Sequence, residues 1–323
     1  MKSKDLRIVF MGTPDFAVAS LKALVDGGYN VVGVITAPDK PAGRGNLITE
    51  SAVKKYALEN NLKVLQPEKL KNSEFLAELE NLKADLQVVV AFRMLPEVVW
   101  NMPRMGTFNL HGSLLPQYRG AAPLNWAVIN GETKTGVTTF LLDHEIDTGK
   151  ILFKRETPIS ENETVGEVHD RLMEIGAKLV VETVDAIAEG NIQPIPQTEL
   201  IEGTEIKHAP KIFKEDCKIN WKKDSEQIRN LVRGLSPYPA AWTNLVNEKT
   251  GTEIITKLFF AQKTDSVKNA SPGTIETDRK TFMNVACKNG WQQITDLQIA
   301  GKKRMKVDEF LRGFQQIGDC RFD

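Results

Sequence analysis

Cysteine is scarce in this chain. There are three, Cys217, Cys287 and Cys320, far apart and never in a C-x-x-C pair. That argues against a disulfide framework or a structural zinc site and fits free thiols in a reducing cytoplasm. Long hydrophobic runs are missing too. No stretch approaches the roughly 18 consecutive apolar residues that span a bilayer. The first residues, MKSKDLRIVFMG, lack the apolar stretch of a signal peptide. A cytoplasmic, non-membrane protein is expected, and nothing suggests an obligate oligomer, so a monomer is expected. No G-x-G-x-x-G follows the first apolar run, where GTPDF stands instead, so a dinucleotide cofactor is poorly supported. Ser113 is not in a G-x-S-x-G elbow, so no serine nucleophile is marked. His144-Glu145 lacks the second histidine of H-E-x-x-H, and no metal is expected. Internal repeats and low-complexity segments are absent.

Net charge is also absent, but only in sum: 42 Lys and Arg balance 42 Asp and Glu. Through residue 206 the chain holds 21 basic against 28 acidic residues; from 207 onward it holds 21 against 14. Two readings fit a basic second half: a polyanionic partner, or chance asymmetry of solvated faces.

What is present is an alternation. At 41% hydrophobic over 323 residues, the chain can bury a large core and suggests two domains. LRIVFM (6–11), NVVGVIT (30–36), LQVVVAF (86–92), TFNL (107–110) and GVTTFLL (136–142) read as strands. Asp15 is placed to cap the helix after the first of them. A helix from about Val165 to Ala188 closes the series. Strands separated by helices predict a doubly wound, mostly parallel α/β sheet of Rossmann-like type. Ligands in such sheets sit beyond the carboxyl ends of the strands, and His111 stands there. Residues 1–189 form the first expected domain. Residues 190–206, rich in proline and glycine, read as a linker. Residues 207–323 hold one helix and several short strands, the pattern of a small barrel or sandwich.

Two features carry chemistry. APDKPAGRGNLITE (37–50) is long for a βα connection and carries Lys40 and Arg44. It is either a plain insertion or a basic finger that reaches an anionic ligand. Asn109 and His111 stand two apart at a strand end, so their side chains share one face. Asp147 follows the next strand, and neighbouring strand ends would bring the three together. An asparagine amide donates to a developing oxyanion. Histidine moves protons near neutral pH, and a nearby carboxylate stabilises the imidazolium. The trio suits acyl transfer through a tetrahedral intermediate, directly to an incoming amine. Structural roles for each residue remain the alternative.

The stretch HGSLLPQYRGAAPLNWAVINGETKTGVTTFLLDHEIDTGKIL (111–152) resembles the signature of the folate-dependent formyltransferases. Its hallmarks Asn-x-His, Ser-Leu-Leu-Pro, Tyr-Arg-Gly and Asp-Thr-Gly stand here in order. The chain departs from the family pattern at Gly112, usually proline, and at Phe92-Arg93, where many relatives carry Tyr-Gly. FMGTPDFA, TAPDKPAGRG, HAPKIFKEDCKINW and LQIAGKKRMKVDEFLRG resemble the branch that formylates charged initiator tRNA. The resemblance spans nearly the whole chain. It implies 10-formyltetrahydrofolate as donor and initiator methionyl-tRNA as acceptor, in translation initiation. It makes Asn109, His111 and Asp147 the catalytic trio. Ser113, Leu114, Leu115 and Pro116 become the folate loop. Phe92, Arg93, Leu95, Leu142 and Asp143 become walls of the pterin pocket. Arg44, beside Lys40, becomes a tRNA contact, and the second domain an OB-like, tRNA-holding barrel.

Overall fold

The structure, a computed structural model, describes residues 2–42, 47–201, 203, 205–264 and 269–323. The chain forms two compact units. The first takes residues 1–120, 135–157 and 169–208; the second takes 121–134, 158–168 and 209–323.

The first unit is built on a seven-stranded sheet: β1 (Ile8–Gly12), β2 (Val31–Ile35), β3 (Val64–Leu65), β4 (Leu86–Val90), β5 (Thr107–His111), β6 (Lys134–Leu141) and β7 (Ile151–Pro158). Their order across the sheet is β7-β6-β5-β4-β1-β2-β3. All five residues of β1 and of β4 are buried, as central strands covered on both faces require. Helices α1 (Asp15–Asp26), α2 (Ala52–Glu59), α3 (Ser73–Asn81) and α4 (Glu97–Trp100) belong to this unit. Ser51 caps α2 by accepting from Lys54 N–H, and Asn72 caps α3. Asp15 does not cap α1: it is the first helical residue, and Pro14 stands at the cap with no side-chain bond. Phe10, Phe108 and Phe140 are fully buried in this unit. Each contributes about 1.5–3 kcal/mol of apolar burial.

β1, β2, β3, β4 and β5 pair in parallel. The expected series breaks after that. β6 runs antiparallel to β5, with Phe108 opposite Leu141 and His111 opposite Thr138. β7, which the strand reading passed over, pairs with β6 at the sheet edge. The half-exposed, mixed sequence of β7 explains the omission, since its burial is confined to a few positions.

The second unit holds α5 (Pro123–Ile129), α7 (Ser225–Gly234) and α8 (Val307–Gly313), while α6 (Val165–Glu189) is shared out between the two units. Its sheet contains β8 (Ala241–Asn247), β9 (Glu253–Lys263), β10 (Ile275–Thr277), β11 (Met283–Cys287), β12 (Gly290–Ile299) and β13 (Cys320–Phe322). The order is β10-β11-β12-β9-β8-β13. A bridge between Thr274 and Arg321 brings the two edges together, so the sheet nearly closes into the expected barrel. Closure depends on Gly273, whose φ is +88° and where a Cβ would meet the Phe322 carbonyl oxygen at 2.1 Å. β8 alternates strictly between buried and half-buried residues, the period of a strand with one face on a core. Arg229 and Arg233 of α7 are buried. They reach the backbone carbonyls of Glu161, Ser160 and Glu163, tying the 158–168 segment to this helix.

Candidate active site

His111 is the last residue of β5 and is buried. Its ring lies edge-on to Phe140, with centroids 6.4 Å apart. Nε2 stands 2.9 Å from the Tyr118 carbonyl oxygen. A carbonyl only accepts, so Nε2 carries a proton and donates it there. Nδ1 faces the Asp147 carboxylate at 3.8 Å. That is outside hydrogen-bonding distance, so Nδ1 is the nitrogen left for chemistry. Asn109, two residues earlier on the same face, is half-buried. Its side chain makes no hydrogen bond to another described residue.

Strand ends do not bring Asp147 to His111. Because β6 is antiparallel, its carboxyl end lies beside Phe108, three residues short of the histidine. The loop after β6 travels back instead. Leu142 N–H donates to the Thr107 carbonyl, and five residues later Asp147 has reached His111. Asp147 holds φ +56°, and its Oδ2 accepts from Gly120 N–H at 2.9 Å. Gly149 completes the turn. A Cβ on it would lie 1.7 Å from the Leu141 carbonyl oxygen, so the Asp-Thr-Gly triplet needs glycine for close backbone approach.

The loop after His111 is wired to β6. Thr138 Oγ1 donates to the Ser113 carbonyl at 2.6 Å and accepts from Leu115 N–H at 3.2 Å. Ser113 Oγ donates to the Gln117 carbonyl. Ser113, Leu115 and Pro116 are buried, and Leu114 packs against Gly136. Leu115 shares a small core with Phe140 and Ile151, against which Leu142 also packs. Phe92, Leu95 and Leu142 meet in a second cluster with Val99 and Trp100. The Arg93 guanidinium lies over the Phe92 ring, 5.5 Å from its centroid, and donates to the carbonyls of Pro67 and Glu68; burial lowers its pKa from the ordinary arginine value. Asp143 is exposed and accepts from His144 N–H.

Lys40 is exposed on a short antiparallel pair, Lys40–Ala42 with Leu47–Thr49. Arg44 lies outside the described residues. The root of this hairpin is fixed. Thr36 and Ser51 hydroxyls bond at 2.7 Å, and Lys54 of α2 pairs with both Asp39 and Glu50.

Sequence reasoning missed the groups that hold these loops. Tyr118, with φ +60°, supplies the carbonyl for His111. Thr138 was only one residue in a strand. Gln197 sat in the stretch read as a linker, yet it is buried and bonds Asp147, Gly149 and Arg119. Burial lowers the pKa of the Arg119 guanidinium from its ordinary value, against the pull of Asp147 and Glu145. Among the described residues, no group of three or more His, Cys, Asp or Glu is placed to hold a metal. No described helix is long and apolar enough to cross a membrane.

An open α/β sheet with a histidine at a strand end, a carboxylate 3.8 Å from one of its nitrogens and an asparagine beside it is an arrangement suited to group transfer. The chain belongs to the formyl transferase family: residues 6–184 match the formyl transferase model, and residues 211–315 match the formyl transferase C-terminal domain. A methionyl-tRNA formyltransferase of Bacteroides fragilis is 60% identical over 97% of both chains. That of Parabacteroides distasonis is 60% identical over 99% of both. Among solved structures, HypX from Aquifex aeolicus in complex with tetrahydrofolic acid superposes with TM-score 0.64 at 20% identity, covering 97% of this chain and 47% of that one. A sugar 3N-formyl transferase, WlaRD, gives 0.63 at 20%, covering 92% and 99%. Both share the fold.

Proposed function

We propose that this enzyme transfers the formyl group of 10-formyltetrahydrofolate to the α-amino group of methionine on initiator tRNA. What carries the reading is the near-complete span of relatives at 60% identity that bear the name methionyl-tRNA formyltransferase. The His111 geometry supplies a mechanism that fits it.

The free amine attacks the formyl carbon, forming a C–N bond. Asn109 and a proton on His111 Nδ1 donate to the oxyanion as it develops; such donors are worth about 10²–10³ in rate each. The Tyr118 carbonyl holds the ring through Nε2, which leaves Nδ1 as the working edge. Asp147 stabilises the imidazolium and receives the proton leaving the amine through water. Collapse breaks the bond between formyl carbon and N10, and the proton returns to N10 of tetrahydrofolate.

Phe92, Arg93, Leu95, Leu142 and Asp143 wall the pterin pocket, with Phe92, Leu95 and Leu142 packed in one apolar cluster. Since Ser113, Leu115 and Pro116 are buried, their loop meets the donor through its backbone. Lys40, Arg44 and the basic residues after 206 meet the tRNA. The protein works as a cytoplasmic monomer without a metal, with residues 1–189 as catalytic domain, 190–206 as a connection that packs on that domain through Ile195 and Gln197, and 207–323 as the OB-like tRNA-holding domain.

The test is formylation of charged initiator tRNA with the folate donor, with charged elongator tRNA and an amino sugar nucleotide as alternative acceptors. The initiator is expected to be preferred, with tRNA affinity falling steeply as salt rises. Equal use of elongator tRNA, or preference for the sugar, would overturn the reading.

A further inference from the structure

We propose that Gln197 is a positioning residue for the transfer, setting the Asp147 loop against His111. The proposal rests on the catalytic reading of His111 and Asp147 given above.

Gln197 begins a short 3-10 turn, Gln197–Leu200, and only 2% of it is exposed. Its amide is fully used. Nε2 donates to the carbonyls of Asp147 and Gly149, both at 2.8 Å. Oε1 accepts from Arg119 Nε at 3.1 Å and from Nη2 at 2.7 Å. Two donors and one oxygen acceptor are all that a glutamine has. Arg119 lies between Tyr118, whose carbonyl takes the His111 Nε2 proton, and Gly120, whose N–H holds the Asp147 carboxylate. The two loops that grip the histidine from either nitrogen are therefore joined by one carboxamide.

Two further observations give this brace a purpose. Asp147 sits at φ +56°, a left-handed conformation uncommon for residues with a side chain, though aspartate adopts it more readily than most. The bond from Gln197 to the Asp147 carbonyl fixes that peptide. The brace itself is anchored, because Ile195 exchanges two backbone hydrogen bonds with Ile151 of β7, at 2.8 and 2.9 Å. A displacement of about 1 Å at a reacting group costs on the order of a hundredfold in rate, so a residue that touches no substrate can govern turnover from here.

The experiment uses the full-length protein. Gln197→Met keeps the side-chain length and removes both donors and the acceptor. Turnover is expected to fall about tenfold to a hundredfold, with KM for donor and tRNA changed less than about threefold. In an Asp147→Asn background the same change should cost little, because the brace acts through Asp147. The imidazole nitrogen signals of His111 should move in Gln197→Met while those of His144, His169 and His208 stay. If Gln197→Met fails to fold, Gln197→Glu, which keeps the acceptor for Arg119 and loses the donors, takes its place with the same expectations. Unchanged His111 signals with unchanged turnover, or a full additional loss in the Asp147→Asn background, would overturn the proposal. An Asp147→Asn enzyme with wild-type turnover would instead overturn the catalytic reading beneath it.

Discussion

The two loops that close on His111 are held in different ways. Residues 112–116 are fixed against the adjacent strand, by Thr138 and by Leu114 seated against Gly136, while residues 117–120 are tied to the distant Gln197, Glu205 and Lys207. Residues 142–150 are fixed by a glycine pressed on a backbone oxygen and by Gln197, some fifty residues away in the chain. The start of the first loop needs β6, which any folding of this sheet supplies; its end shares Gln197 with the second. The second needs a segment that leaves the sheet and returns to it. One loop positions an acceptor for Nε2, and the other places the carboxylate near Nδ1. The chemistry depends on both arriving together.

Removing what the loops share gives the largest effect. His111→Ala is expected to cut turnover on the order of 10²–10⁴-fold while circular dichroism stays native. A comparable rate in the variant would detach both loops from the reaction. Gly149→Ala strikes the second loop alone. Its Cβ cannot coexist with the Leu141 carbonyl, so the turn must shift. Turnover is expected to drop about a hundredfold, with a modest loss of melting temperature. Thr138→Val strikes the first loop. It leaves the Leu115 N–H without its partner in a buried place, costing about 1–3 kcal/mol in denaturant unfolding. Turnover should fall less than in Gly149→Ala, and the opposite ranking would reverse the comparison. Lys54→Met extends the comparison to a third loop, the Lys40–Thr49 hairpin, whose two limbs share this one cation. KM for tRNA is expected to rise a few-fold as the half-buried cation stops joining the two limbs, with saturated turnover unchanged.

The sequence carries one of these loops far better than the other. The strands Ile8–Gly12 and Leu86–Val90 are legible because both faces are buried and the apolar run is continuous. Asn109 and His111 are legible because a strand alternates and they stand two apart. The reversal of β6 is not, since an apolar run has the same pattern in either direction, and only pairing with β5 sets it. Asp147 was placed beside His111 by supposing parallel strand ends; it arrives there by a loop that doubles back. Gln197 is invisible because an amide just after Pro194 and Pro196 has no periodicity, and its partners are two distant backbone carbonyls and the Arg119 side chain. Lys54 was hidden for a similar reason: nothing in a helix turn marks which lysine clamps a hairpin.

The most direct test is single-turnover formylation of initiator methionyl-tRNA by 10-formyltetrahydrofolate, with saturating enzyme, comparing the wild type with Asp147→Asn. The wild type is expected to formylate the tRNA, and the folded variant to do so at least about a hundredfold more slowly. A wild type that transfers no formyl group to this acceptor, or a variant within about twofold of it, would contradict the account.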